Sequence, residues 1–337
     1  MCPGLGQVLG TAIKEDPATG ETTLKLDFSM SKIAGRSAMP SSAGHSDSAA
    51  SSGTKLSLSG LLHYLWDQAE LTRWQPGFAG KRTWGTVRKH LLQAADNKIA
   101  RGNPLRSRLY IPELFSVDQR DAINARRMAQ WSPAIAAPGQ PQPLMLLIAE
   151  VKEILPARYG FKAVVKHLPD QAFALDEQLY RRMGRRFASE LALWAAADRI
   201  HMMMMMMATF SVAATGIPSI VELSLMPVTR QWLPVERGFE KQLIERLVAE
   251  GRSFVKGLRY NLAADSTLAS AKLTDCVGAA PLLFVAHAGI ANSDRHLQAC
   301  DSLAPVWRWN PLSGAMPLLP TRRPISIRAA ETAFEGR

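Results

Sequence analysis

The sequence predicts an α+β protein, and three features carry that reading. Two amphipathic helical stripes lie between residues 57 and 96, period-two and continuous apolar runs begin after residue 143, and helix and strand patterns alternate from residue 239 to 309. The expected order is a helical, winged-helix-like section, then β-hairpin/helix/β-hairpin, then a small nuclease-like α/β module lacking a complete active site. With 337 residues, 47% apolar and 20% charged, the chain suits roughly two domains and excludes whole-chain disorder or a disulfide mini-scaffold. No apolar run approaches the roughly 18 residues of a spanning helix, so no membrane span is expected.

Residues 1–56 read as a leader and Ser-rich linker with little core of its own. Turn chemistry at Asp16–Gly20 separates Val8–Ile13 from the alternating Thr22, Leu24, Leu26 and Phe28, which suggests a hairpin, and Ser37–Thr54 has linker composition. Residues 57–132 form the helical, basic section. Leu58, Leu61, Leu62, Leu65, Trp66 and Ala69 make one stripe of a helix over 59–73, ended by Pro76-Gly77. Thr83 is a suitable N-cap for a second helix carrying Trp84, Val87, Leu91, Leu92 and Ala95 inward. Gly102-Asn103-Pro104 stops it; a short strand over 105–111 and a helix over 116–131 follow.

Pro133–Pro143 is the expected domain boundary. Residues 144–232 then give a hairpin (Leu144–Ile154 and Phe161–Leu168), a helix over 176–200, and a second hairpin (His201–Val212 and Ser219–Thr229). The run Met202–Met207 reads as a buried strand filled by soft side chains. Residues 236–312 form the small α/β module: a helix over 239–256, strands at Ala269–Thr274 and Pro281–Ala286, a helix near Asp294–Leu303 and a strand at Val306–Trp309. Residues 313–337 read as a tail.

Charge is the main compositional clue. The chain carries 40 Lys+Arg against 29 Asp+Glu, a net +11, and residues 55–135 hold thirteen basic against six acidic residues. A basic field on one segment favours polyanions, so nucleic acid is the first expected partner and an anionic membrane surface the second, with other proteins as a further class. The residues expected to meet phosphates are Lys81 and Arg82 flanking the second helix and Arg88 and Lys89 on it, with Arg101, Arg106 and Arg108 as a wing.

The expected chemistry is mostly exclusion. Cys2, Cys276 and Cys300 lie far apart with no Cys-x-x-Cys, so no zinc site assembles and a reducing cytoplasm fits. Neither a phosphate-binding Gly-x-x-x-x-Gly-Lys nor a dinucleotide Gly-x-Gly-x-x-Gly nor a Gly-x-Ser-x-Gly elbow occurs, so no cofactor is expected. Glu150-Val151-Lys152 has the acid-x-Lys form used by restriction-type nucleases, but no acidic residue stands between Asp121 and Glu150 to provide the second metal ligand. The C-terminal module offers Asp275, Glu245 and Glu250 as catalytic candidates, followed by a strand with neither acid nor Lys. An inactive relic of a metal-dependent nuclease is therefore the alternative to a binding protein.

Several quoted stretches together give a resemblance: Gly4-Leu5-Gly6-Gln7, Leu58–Trp66, Trp84 with Arg88–Leu92, Glu150–Glu153, Lys166–Pro169, Phe254–Asn261 and Trp307–Trp309. Over residues 5 to 320 the chain resembles a bacterial family catalogued as domain of unknown function 1173, met near mobile genetic elements. Similar proteins carry a Cys- and His-bearing stretch upstream of the glycine motif, which implies a short N-terminus here. The resemblance implies a mobile-element setting and supplies no activity. The expectation is an accessory nucleic-acid-binding or interaction protein, not an enzyme.

Overall fold

The computed structural model describes residues 12–32, 55–135, 141–196, 202–258, 260, 268–286 and 304–323. Helix and strand occur in nearly equal shares, as an α+β protein requires. The N-terminal hairpin is real. β1 (Ile13–Glu15) and β2 (Thr22–Leu24) pair antiparallel, and the Asp16 carboxylate holds the turn by accepting from the Ala18 N–H at 2.9 Å. The coreless leader is corrected, however. Leu24, Leu26 and Phe28 are buried, and β2 pairs in parallel with β5 (Lys98–Ala100), which turns through Arg101-Gly102 into β6 (Asn103–Pro104). The Ser37–Thr54 linker lies outside the described residues.

α1 (Leu58–Gln68) starts one residue before its expected position, because Ser57 caps it: its hydroxyl accepts from the Gly60 N–H at 3.0 Å. It stops before Arg73–Trp74, which forms β4. α2 (Trp84–Ala94) begins on the expected cap, Thr83. The strand expected over 105–111 is instead a single turn, α3 (Leu105–Arg108), followed by β7 (Leu109–Tyr110), and α4 (Arg120–Trp131) completes the section.

Five strands then wrap into a barrel. β9 (Met145–Pro156) pairs with β12 (Met202–Val212) through residues 145–151 and with β10 (Phe161–Val165) through 151–156, so one long strand serves two neighbours by curving between them. β10 pairs with β11 (Ala172–Leu175), β12 with β13 (Pro218–Thr229), and Ala174 meets Ser219 in a parallel contact that closes the ring. α5 (Glu177–Arg186) and α6 (Ala188–Ala196) link β11 to β12; the single helix expected over 176–200 breaks at Phe187. The order β9-β10-β11-β13-β12-β9, with the helix between the third and fourth strands, is the connectivity of a partly open OB-type barrel.

Barrel packing explains the methionines. Met204 and Met206 join Leu147, Phe173 and Phe210 inside, while Met205 and Met207 join Leu61, Leu65 and Trp66 of α1 outside. β12 is buried on both faces, so an uninterrupted apolar run is what its position requires. Trp131 of α4 plugs one end against Tyr110, Phe173 and Phe210, with ring centroids 5.2 to 5.8 Å apart. β8 (Gln142–Pro143) pairs with β3 (Ser31–Lys32) beside it.

The remaining sheet runs β17 (Val306–Trp309), β16 (Leu282–Val285), β15 (Ala271–Leu273), β14 (Phe254–Lys256), β4. The helix expected over 239–256 is corrected to α7 (Gly238–Ala249): Gly251 takes a left-handed φ of +64° and the chain reverses into β14. The helix expected near Asp294–Leu303 lies outside the described residues. Residues 313–323 are not a free tail, because Trp307 donates to the Leu318 carbonyl at 2.8 Å and Arg322 bridges to Cys276. Strand pairing also crosses the expected section boundaries, with β7 on β9 and β4 on β14. Among the described residues no helix is long and apolar enough to cross a membrane.

Candidate nucleic-acid interface

The helix pair expected to read nucleic acid is largely committed to the protein itself. α1 lies against the outer face of β12 and β13, with Ser59 and Ser224 hydroxyls 2.5 Å apart, so it offers no free groove-crossing surface. Arg82 is corrected from phosphate ligand to internal clamp: it donates to the carbonyls of Glu70, Leu71, Arg73 and Gln231. Burial lowers its basicity, to about 10, yet leaves it charged at neutral pH. Arg88 donates to the Ile111 carbonyl at 3.0 Å, Arg101 to those of Leu26 and Phe28, and Arg106 pairs with Asp96 at 3.5 Å. Arg108 has one buried guanidinium nitrogen without a partner. Lys81 and Lys89 alone of the seven face solvent without such an engagement.

The catalytic candidates are engaged in the same way. Asp275 accepts from Arg252 at 2.9 and 3.0 Å and from the Ser253 N–H at 3.0 Å, with Arg322 at 3.6 Å. Burial pulls its pKa upward, but these donors outweigh it and hold the carboxyl below the usual range. Glu245 pairs with Lys241 and Glu250 with Arg246, each one turn away on α7. Among the described residues no group of three His, Cys, Asp or Glu side chains is placed to hold a metal.

Glu150 of the acid-x-Lys stretch lies under the helical layer, 5% exposed, and bonds Lys166 at 2.5 Å. The next residue, His167, has a φ of +64° and stacks on Trp84 of α2, ring centroids 5.6 Å apart. Together they fasten the barrel to α2. Burial raises the Glu150 pKa against the opposing Lys166 charge, so ionising it costs more in the folded than in the unfolded state. That penalty is absent below the ordinary carboxylate range and appears as pH rises through the raised value. Glu150→Gln is therefore expected to match or exceed wild-type stability at pH 7 and to lose the advantage near pH 4, read as the thermal midpoint at both pH values. A loss at pH 7 would mean that the Lys166 pair outweighs desolvation.

Among the described residues the helices pack on β12 and β13 and leave the outer face of β10 and β11 half-open. Ala163, Val165, Phe173 and Leu175 point inward, so Lys162 and Val164 of β10 and Ala172 and Ala174 of β11 point out. The register sets Leu155, Lys162 and Ala174 in one row across three strands, and Glu153, Val164 and Ala172 in the next. The two alanines keep the floor of this face low. Lys152 stands exposed at its edge. Beyond the strands projects the β9–β10 turn, where Tyr159 is 81% exposed and the Arg158 guanidinium lies 5.3 Å from its ring. Gly160 anchors the turn: its φ is +87°, and a Cβ there would lie 2.7 Å from the Leu175 carbonyl. As a sequence Pro156–Gly160 reads as a plain turn, because nothing within five residues shows the strand face that its exposed Tyr159 adjoins.

Comparison with known families decides the relationship, since the family model for a protein of unknown function, DUF1173, matches residues 2–312. The chain belongs to the DUF1173 family. No curated protein and no solved structure matches it. In this DUF1173 protein the matched residues take in the whole barrel, the helical layer on it and the C-terminal sheet through β17.

Proposed function

We propose that this DUF1173 protein binds single-stranded nucleic acid across the outer face of β9, β10 and β11, as an accessory protein of a mobile genetic element acting in the cytoplasm. The observation that carries the reading is the outer face of an OB-type barrel that no helix among the described residues packs on, with Lys162 on it, Lys152 at its edge and Arg158-Tyr159 at its rim, while α1 covers the outer face of β12 and β13. OB barrels use the corresponding second and third strands and the turn between the first two for oligonucleotides. A single strand presents bases to stack on Tyr159 and phosphates to meet the lysines. The net charge of +11 adds an attraction that is not sequence-selective.

The test is fluorescence anisotropy with a labelled thymidine oligonucleotide at two salt concentrations. Affinity is expected to fall steeply with salt. Tyr159→Ala is expected to weaken binding about tenfold, at the lower end of the roughly 1–3 kcal/mol of base–aromatic stacking. Lys152→Ala with Lys162→Ala should flatten the salt dependence. Binding that is lost with Lys81→Ala and Lys89→Ala, but kept without Tyr159, would transfer the interface to α2.

A further inference from the structure

Three arginines on α4 differ in how their charge is met. Arg120 holds Asp170 with two bonds of 2.8 Å, and Arg126 holds Glu113 with bonds of 3.0 and 2.8 Å. Arg127 is more deeply placed than either, only 8% exposed, and has no such partner. Its Nη1 reaches the Gln171 side-chain oxygen at 3.5 Å, the outer limit of a hydrogen bond, and its Nε is buried with no acceptor among the described residues. The guanidinium carbon lies 5.0 Å from the Trp131 ring.

Arginine does not shed its proton in a protein, so this is a buried cation. The indole face offsets part of the burial cost, but a ring quadrupole is no substitute for a counter-charge. A group of the opposite sign is the missing partner, and the surroundings select which one. Glu113, the acidic residue on this side of α4, is already taken by Arg126 and feels Arg88, so it is not the counter-charge of Arg127. Tyr110, whose phenol burial keeps protonated, feels the Arg127 charge and can donate. Planar N–H pairs with further donors close by match the several oxygens of a phosphate better than a lone carboxylate.

From these contacts we infer that Arg127 is the centre of a phosphate-binding site between α4 and the β10–β11 loop. The phosphate is either a free anion or a backbone phosphate of a strand on the barrel face, which Gln171 adjoins at the start of β11. Only the second source rests on the function proposed above. The site itself does not.

The experiment uses the full chain. Thermal midpoints are measured in sodium phosphate and in sodium chloride at equal ionic strength, for wild type, Arg127→Met and Arg127→Lys, alongside anisotropy with the thymidine oligonucleotide. Phosphate is expected to raise the wild-type midpoint by several degrees, Arg127→Met to be at least as stable as wild type in chloride and indifferent to phosphate, and Arg127→Lys to keep only part of the shift. A roughly tenfold weaker oligonucleotide affinity in Arg127→Met, with a salt slope shallower by about one, assigns the backbone phosphate. An Arg127-dependent phosphate shift with unchanged oligonucleotide affinity assigns a free phosphate, and one with no oligonucleotide binding even by wild type also sinks the barrel reading while leaving the site standing. Equal phosphate shifts in wild type and Arg127→Met overturn the site. So does an Arg127→Met chain that fails to fold in chloride, because the charge would then be structural.

Discussion

Replacing Arg82 by alanine is expected to destabilise the protein by about 3 kcal/mol, with little change in the urea dependence of unfolding. Its guanidinium is held between Trp74 and Phe78, 5.5 and 5.1 Å from the ring centres, and reaches carbonyls of the segment that leads into β4 and of the turn after β13. That turn answers in kind: Trp232 donates its indole N–H to the Arg82 carbonyl at 2.9 Å and accepts from Trp66 at 3.0 Å. Trp232 has a φ of +62°, a conformation a bulky residue keeps only when its surroundings over-determine it. Truncating Arg82 strips donors from several carbonyls at once and releases the strained turn. Arg82→Lys is expected to recover less than half of the loss, since an ammonium cannot present the planar fork or stack between two rings. Full recovery by lysine would mean that charge, not geometry, is what the site needs.

Lys256→Met is expected to cost about 3–5 kcal/mol, although methionine fills a similar volume. The Lys256 side chain is wholly buried in the C-terminal sheet, where its ammonium pairs with Glu240 of α7 at 2.9 Å and donates to the Gly257 carbonyl at 2.6 Å. Removing the cation strands a carboxylate that is itself 5% exposed. Combining it with Glu240→Gln should restore about 2 kcal/mol or more, because the amide removes the stranded charge while its oxygen still accepts from the Glu236 N–H, now at 2.7 Å from the carboxylate. Urea unfolding of the two single variants and the double variant measures the coupling. Losses that simply add would show the two charges to be independent.

Both residues show what composition concealed. Arg82 follows Lys81 in a basic stretch, and Lys256 sits among the polar residues after α7, so each reads as a surface charge by type. Their burial depends on segments far away in the chain: Gln231 for Arg82, Glu240 and β15 for Lys256. The half-open barrel face was hidden for the same reason. The two hairpins and the helix between them were legible, but ring closure rests on Ala174 meeting Ser219, and on β9 changing partners at Val151.

By itself the sequence determined the local elements of this protein: the Thr83 start of its second helix, the two long hairpins, the buried methionine strand, and a net positive charge. These follow from spacing, since periods of 3.6 and 2 and short capping side chains act within a few residues. Only the tertiary structure decided which cations stay in solvent. A helix face or strand edge is exposed or covered according to what packs on it, and that is set by the pairing of distant segments, which turned Arg82, Arg88 and Arg101 onto backbone carbonyls and left Lys152, Lys162 and the Arg158-Tyr159 turn in solvent.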